Sequence, residues 1–240
     1  MSDQVTSTDN KTGRQHRIGD MQSSEALSIE DLDRLGIIHP RMDNRAMLNS
    51  YRDIRNKLLK LSDYNNFVCL VSSLSARDET FLQALNLAAV FAFDKSRSAI
   101  IVDCTAEDEV INELIATDEH MGLIDFIEAD YDDLSALLYE SRLERVRVIP
   151  TGRKSETRTE TLESTRMREI IIELKHRYPD RFIFVNAPNM TTSSEVQVLA
   201  NISDMVVFEM TPGSASVAEV QEAVEMVGPE KVAGVLFQEG

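Results

Sequence analysis

From Phe67 onward, short and almost wholly apolar runs alternate with longer amphipathic segments, and no other feature narrows the fold as far. The runs are FVCLVS (67–72), SAIIVD (98–103), RVRVIP (145–150), RFIFVN (181–186), MVVFEM (205–210) and KVAGVLF (231–237). Each has the length of a strand, and apolar residues at successive positions suit strands that are covered on both faces. Helical periodicity fills the intervals, at 78–94, 106–116, 123–128, 134–141, 161–178, 194–202 and 216–227. Strands alternating with helices predict right-handed crossovers. The expected fold is therefore α/β: a doubly wound, mostly parallel sheet with helices on both faces, in three layers.

Upstream of this pattern the chain changes character. Residues 1–26 are rich in Ser, Thr, Asp, Asn, Gln and Gly, with almost no large apolar side chains to offset the entropy of ordering, so a disordered polar tail is expected. Order should begin at Ser28, which has a carboxylate three residues on at Asp31, in the manner of a capping box. A short helix follows and stops at Gly36. Residues 45–61 then place Met47, Tyr51, Ile54, Leu58 and Leu61 at helical spacing with Arg and Lys between them. The expected organisation is the tail (1–26), then one domain (27–240) that begins with a helical arm (28–61), since 240 residues suit one substantial core.

Charge and composition exclude several functions. The formal charge is −16, from 25 basic and 41 acidic side chains, which opposes nonspecific contact with nucleic acid or an anionic membrane. No apolar run approaches the roughly 20 residues of a membrane span, and the N-terminal segment lacks a secretory apolar stretch, so a cytoplasmic protein without direct membrane insertion is expected. Cys69 and Cys104 lie in apolar runs and read as core thiols, not a disulfide. His16, His39, His120 and His176 have no ligand spacing, so no zinc site is expected. The acidic run from Glu128 to Asp133 lacks the Gly and closing Glu of a calcium loop and reads as a solvated helix start.

In a doubly wound sheet, ligands bind at the carboxyl ends of the strands. The first strand runs into Ser72-Ser73-Leu74-Ser75-Ala76-Arg77-Asp78-Glu79-Thr80-Phe81, where a phosphate-cradling loop would lie. Several ordered blocks then carry a resemblance: ALNLAAVFA (84–92), AIIVDC (99–104), LESTRMREIIIELKHRYPDRFIFVNAPN (162–189) and VAGVLFQ (232–238). Together they resemble the bacterial tyrosine autokinases of polysaccharide biosynthesis, in the MinD/ParA-like branch of P-loop ATPases. The stretch from Met167 to Pro188 is most similar to the subfamily that accompanies exosortase.

The resemblance implies a phosphate loop that has lost its chemistry. Counting back from Asn86, the family's two loop glycines fall on Arg77 and Glu79, with Asp78 between them. Its lysine falls on Thr80 and its magnesium-binding hydroxyl on Phe81. Side chains at Arg77 and Glu79 obstruct the approach of backbone amides to phosphate, Thr80 supplies no cation, and Phe81 offers no oxygen. Asp103 matches the first acid of the family's Asp-x-Asp, but the second falls on Thr105, and the later catalytic acid falls on Asn186, a poor ligand for a hard cation. The base-contacting Asn aligns with Gln238, which retains hydrogen-bonding capacity. Structural roles compete at these positions: Asp103 as a cap of the following turn, Asn186 as a turn residue before Pro188. Arg77 could also stand in for the missing lysine.

The family's ring-forming Glu-x-x-Arg-x-x-Arg pattern falls on Asn49, Arg52 and Arg55, so both arginines match, and the resemblance implies that they face acids on a neighbouring subunit in a homo-oligomer; a solvated basic edge is the competing view. No tyrosine follows Tyr178, so the tyrosine cluster these kinases phosphorylate is not expected here. The reading that results is a pseudo-kinase that regulates or scaffolds exopolysaccharide synthesis and export. No cofactor is expected on this reading, and the protein would sit peripherally at the inner membrane through a chain-length-determinant membrane protein or a kinase paralogue. The alternative is an active ATPase or tyrosine kinase that binds ATP and magnesium through Arg77, Asp103 and Gln238. A ParA/MinD-like positioning factor would need a membrane or DNA surface that this acidic chain does not offer.

Overall fold

The computed structural model describes residues 25–74, 80–105, 109–115 and 121–237. The expected tail falls almost wholly outside them, although the Arg142 side chain holds the Glu25 carbonyl at 3.1 Å.

The strands are β1 (Val68–Ser73), β2 (Ser98–Asp103), β3 (Tyr139–Glu140), β4 (Val146–Ile149), β5 (Arg181–Asn186), β6 (Met205–Met210) and β7 (Val232–Phe237). The helices are α1 (Ile29–Arg34), α2 (Arg45–Leu61), α3 (Phe81–Ala92), α4 (Glu109–Leu114), α5 (Leu123–Glu128), α6 (Arg158–Leu162), α7 (Thr165–Arg177), α8 (Glu195–Asn201) and α9 (Val217–Val227). The sheet runs β3-β4-β2-β5-β1-β6-β7, and every pairing is parallel except β3 with β4. This is the doubly wound, three-layer α/β/α architecture expected from the alternation of apolar runs.

Alternate residues of the central strands divide the core between the two faces. Cys69, Val71, Ile101, Phe184 and Val207 pack under α2 and α3, with Phe67, Phe91, Phe182 and Phe184 in mutual ring contact from 4.6 Å (Phe91–Phe182) to 6.0 Å (Phe67–Phe184). Leu70, Val102, Ile183, Val185 and Phe208 pack on the other face under α5, α7, α8 and α9. Both faces are closed, which is why the strand sequences read as continuous apolar runs rather than alternating ones.

Three local expectations need correction. Residues 134–141 were expected as a helix but form one 3-10 turn, Leu134–Leu137, capped by Asp133, followed by β3. Ladder bonding to β4 and the Arg147–Glu140 ion pair (2.7 Å) outweigh the weak helical periodicity of so short a stretch. The segment 161–178 is broken at Ser164, whose hydroxyl accepts from the Met167 N–H and starts α7 as a separate helix. On α2 the buried positions are Leu48, Tyr51, Leu58 and Leu59, while the terminal Leu61 is 57% exposed.

The arm is fastened by polar groups as well as by packing. Asn86, fully buried in α3, accepts from the Ile38 N–H (2.8 Å) and donates to the Gly36 carbonyl (3.1 Å), so one side chain holds the chain leaving α1. Tyr51 of α2 donates to Gln83 of α3, and burial pushes the Tyr51 phenol well above its usual range.

Candidate functional site

Order β2-β5-β1-β6 brings the carboxyl ends of β2, β5 and β1 side by side, with Asp103 directly opposite Asn186 and Val71 opposite Asn186 on its other side. The edge where a ligand is expected therefore collects Asp103, Asn186 and the start of α3. Thr80, Asp103 and Asn186 are all buried.

These side chains bind one another. The Thr80 hydroxyl donates to Asn186 Oδ1 at 2.5 Å and lies 3.2 Å from the Ala187 carbonyl, instead of capping the helix it precedes. Asn186 Nδ2 donates to Asp103 Oδ1 at 2.8 Å and approaches Thr105 Oγ1 at 3.2 Å. The same Asp103 oxygen also accepts from the Thr105 amide (3.1 Å) and the Thr105 hydroxyl (2.8 Å). Thr151, just past β4, places its hydroxyl 2.7 Å from both Asp103 Oδ2 and the Asp103 carbonyl. Asp103 thus has four side-chain or amide contacts from neutral donors, each charge-assisted bond contributing about 1.5–3 kcal/mol.

One charged pair completes the edge. Arg158 of α6 donates to the carbonyls of Cys104 (3.0 Å) and Thr105 (3.1 Å), and pairs at 3.2 Å with Glu195, which is buried at the start of α8. Burial, the nearby Asp103 carboxylate and Glu195 together push the Cys104 thiol well above its ordinary range, Arg158 opposing; the thiolate chemistry of an exposed cysteine is suppressed.

Among the described residues, the side chains at this edge are engaged with one another and leave little open for a hard cation. Phe81, the first residue of α3, has its ring in the core beneath the sheet, 1% exposed. Asn186 presents an amide whose two polar atoms are already engaged by Thr80 and Asp103. Among the described residues no three His, Cys, Asp or Glu side chains are gathered to hold a metal ion.

Of the residues singled out from the sequence, the structure unites Thr80, Asp103, Thr105 and Asn186 in one cluster. Arg77, Asp78, Glu79 and Gln238 lie outside the described residues. Arg52 and Arg55 are elsewhere, on α2, beside Phe93 and Arg97. Thr151, Arg158 and Glu195 were not anticipated. Thr151 could have been found, since it is the second residue beyond the parallel strand β4, where the ligand edge lies; nothing in the sequence marks the loop path that returns Arg158 to this edge.

No family model and no curated protein matches this chain. Solved structures do. The kinase domain of the Escherichia coli tyrosine kinase ETK superposes with a TM-score of 0.70 at 18% identity, covering 89% of this chain and 88% of that one. The chimerical protein CapA2B2 superposes with a TM-score of 0.70 at 16% identity, covering 89% of this chain and all of the other. The MinD protein of Pyrococcus horikoshii, complexed with Mg-ADP, gives a TM-score of 0.53 at 17% identity, over 71% of this chain and 69% of its own. The fold is therefore that of the MinD/ParA-like P-loop NTPases, and its structural neighbours include bacterial tyrosine kinase domains.

Proposed function

We propose that this protein, which shares the fold of the bacterial tyrosine kinase domains, is a non-catalytic relative of the autokinases of polysaccharide biosynthesis. On this reading it regulates or scaffolds exopolysaccharide synthesis and export through protein contacts. The observation that carries the proposal is the closed network at Asp103. The carboxylate matched to the family's metal site is engaged by Thr105, Asn186 and Thr151, and the amide at the family's catalytic-acid position is engaged by Thr80. A magnesium ion would have to displace neutral donors already satisfied in a buried setting, and would gain only one carboxylate for it.

The partner on this reading is a protein: a chain-length-determinant membrane protein or a kinase paralogue. On this reading, contact with the inner membrane passes through that partner; among the described residues no helix is long and apolar enough to cross a membrane. Assembly with copies of itself is part of the same proposal.

The test is turnover. The purified full chain, incubated with radiolabelled ATP and magnesium, is expected to release no phosphate above a buffer blank and to label neither itself nor a tyrosine-containing peptide. Release or labelling abolished by Asp103→Ala would establish the active-enzyme alternative and overturn the proposal.

A further inference from the structure

An open cavity of about 330 Å³ that shares no residue with the Asp103 network lies between α2 and the turn that follows α3. It is lined by Arg52, Arg55, Leu59, Phe93, Asp94 and Arg97. Three guanidinium groups share it with one carboxylate, leaving a local charge of about +2 on a chain whose formal charge is −16. Such a concentration of like charge is unfavourable unless an anion answers it. Burial first, and then repulsion from Arg97 and Arg52, hold the Arg55 guanidinium below its usual range, with Asp94 opposing.

Internal partners leave part of this donor capacity open. Arg55 donates from one terminal nitrogen to the Val90 carbonyl (3.1 Å) and from the other toward Asn56 (3.4 Å), and Arg97 donates its Nε to Asp94 (3.1 Å). Among the described residues Arg55 Nε and Arg97 Nη1 are buried and have no hydrogen-bond partner. Arg52 has a single long contact, 3.5 Å to Asn49. A buried N–H left unmet is costly, so two in one cavity point to a ligand that meets them after a small side-chain adjustment.

We propose that this cavity binds a phosphoryl group. A carboxylate brings a single negative charge and two oxygens in one plane, which leaves about half of the local positive charge unanswered. A phosphate monoester presents three acceptor oxygens and close to two negative charges, which matches both the number of arginines and the net charge of the lining. Leu59 and Phe93 add an apolar wall against which the carrier of a phosphoryl group could lie. The site stands on its own residues and does not depend on whether the Asp103 edge is catalytically silent.

The experiment is a titration of the ¹⁵N-labelled full chain with phenyl phosphate, inorganic phosphate and benzoate at fixed ionic strength, following the arginine Nε–H signals and the amides of residues 52–59 and 93–97. Phenyl phosphate is expected to give saturable shifts at these positions, with affinity at least tenfold above that of benzoate. Arg52→Gln, which breaks only the long contact to Asn49, should weaken phenyl phosphate by fivefold or more while the melting curve is unchanged; Arg97→Gln should do the same. Inorganic phosphate binding as tightly as phenyl phosphate would identify the free ion as the source of the group, and weaker binding would identify a carried phosphoryl group. The proposal is overturned by any of three results: no saturable shift, equal affinity for benzoate, or phosphate binding unaffected in both variants. It is likewise overturned if Arg52→Gln changes the sedimentation of the chain in phosphate-free buffer, because the cluster is then an interface between copies.

Discussion

Two polar clusters in this molecule have opposite economies. At the carboxyl edge of the sheet, where the fold normally receives a nucleotide, Asp103, Thr105, Asn186, Thr80 and Thr151 bind one another, so a residue type associated with catalysis acts as a structural acceptor. On α2 and the turn after α3, Arg52, Arg55 and Arg97 crowd together with donors unmet. The difference teaches that the position of a ligand site in a fold and the capacity to bind a ligand are separable. Capacity lies where hydrogen-bonding groups are held without internal partners.

The comparison breaks first at Asp103. In a working nucleotide site, removing a ligand-binding carboxylate is often neutral or stabilising, because such groups are held for function at a cost in stability. Here Asp103→Ala should destabilise the protein by about 3–5 kcal/mol in urea unfolding, since it strands buried donors on Thr105, Asn186 and Thr151. A change below about 1 kcal/mol would contradict the structural role.

Asn186→Asp comes next. It would place a second carboxylate 2.8 Å from Asp103 Oδ1, replacing a donor by a like charge, at a cost of about 2–4 kcal/mol near neutral pH. One acid of the pair then has a folded-state pKa raised above its unfolded value. The stability it contributes is fully present below the unfolded pKa and is lost as pH rises through the folded one. The variant should therefore recover toward the parent as pH falls to about 5, measured by thermal melts across that range. A variant equally weakened at pH 5 and 7 would count against the contact.

At the other cluster, Arg52→Gln should shift stability by no more than about 0.5 kcal/mol, since the side chain holds little beyond a 3.5 Å contact. A loss comparable to that of Asp103→Ala would show the arginines to be structural too and would erase the contrast between the clusters.

The smallest effect concerns the loop that delivers Thr151. Glu128 accepts from Ser155, Arg153 and Thr157, and these bonds lower its pKa from an ordinary value near 4.5 to about 2. A depressed folded-state pKa gives stability that is present above 4.5 and lost as pH falls toward 2. Glu128→Gln should thus be slightly less stable than the parent at pH 7, and the two should converge between pH 4.5 and 2; a constant difference over that window would show that the loop is held by packing alone.

Much of this was legible in the sequence, and the reasons are local. The runs at 98–103, 181–186 and 205–210 coincide with β2, β5 and β6, because a strand buried on both faces has few ways to be written other than a short apolar run between polar breaks. Asp103 and Asn186 were each legible as strand ends, but only the sheet order, with β2 beside β5, sets them opposite one another. Residues 134–141 were not legible: a stretch with one buried turn and then an edge pairing carries helix-like spacing over too few residues to distinguish the two. Nor could the sequence show that Asp103 is closed by Thr151 and flanked by the Arg158–Glu195 pair, since these contacts join residues 37–54 positions apart through loops whose course no periodicity encodes. The arginine cavity was half visible. Arg52 and Arg55 share a helix face by their spacing, while Arg97 joins them only through the packing of α2 against α3.

On the proposed function, the hydrogen bonds among Thr80, Asp103, Thr105, Asn186 and Thr151 leave no place at the carboxyl edge for a nucleotide with its magnesium. Isothermal titration of the full chain with ATP in the presence of magnesium tests it most directly. The account predicts no saturable heat at micromolar nucleotide, with or without the metal; micromolar binding that requires magnesium and is lost in Asp103→Asn would contradict it.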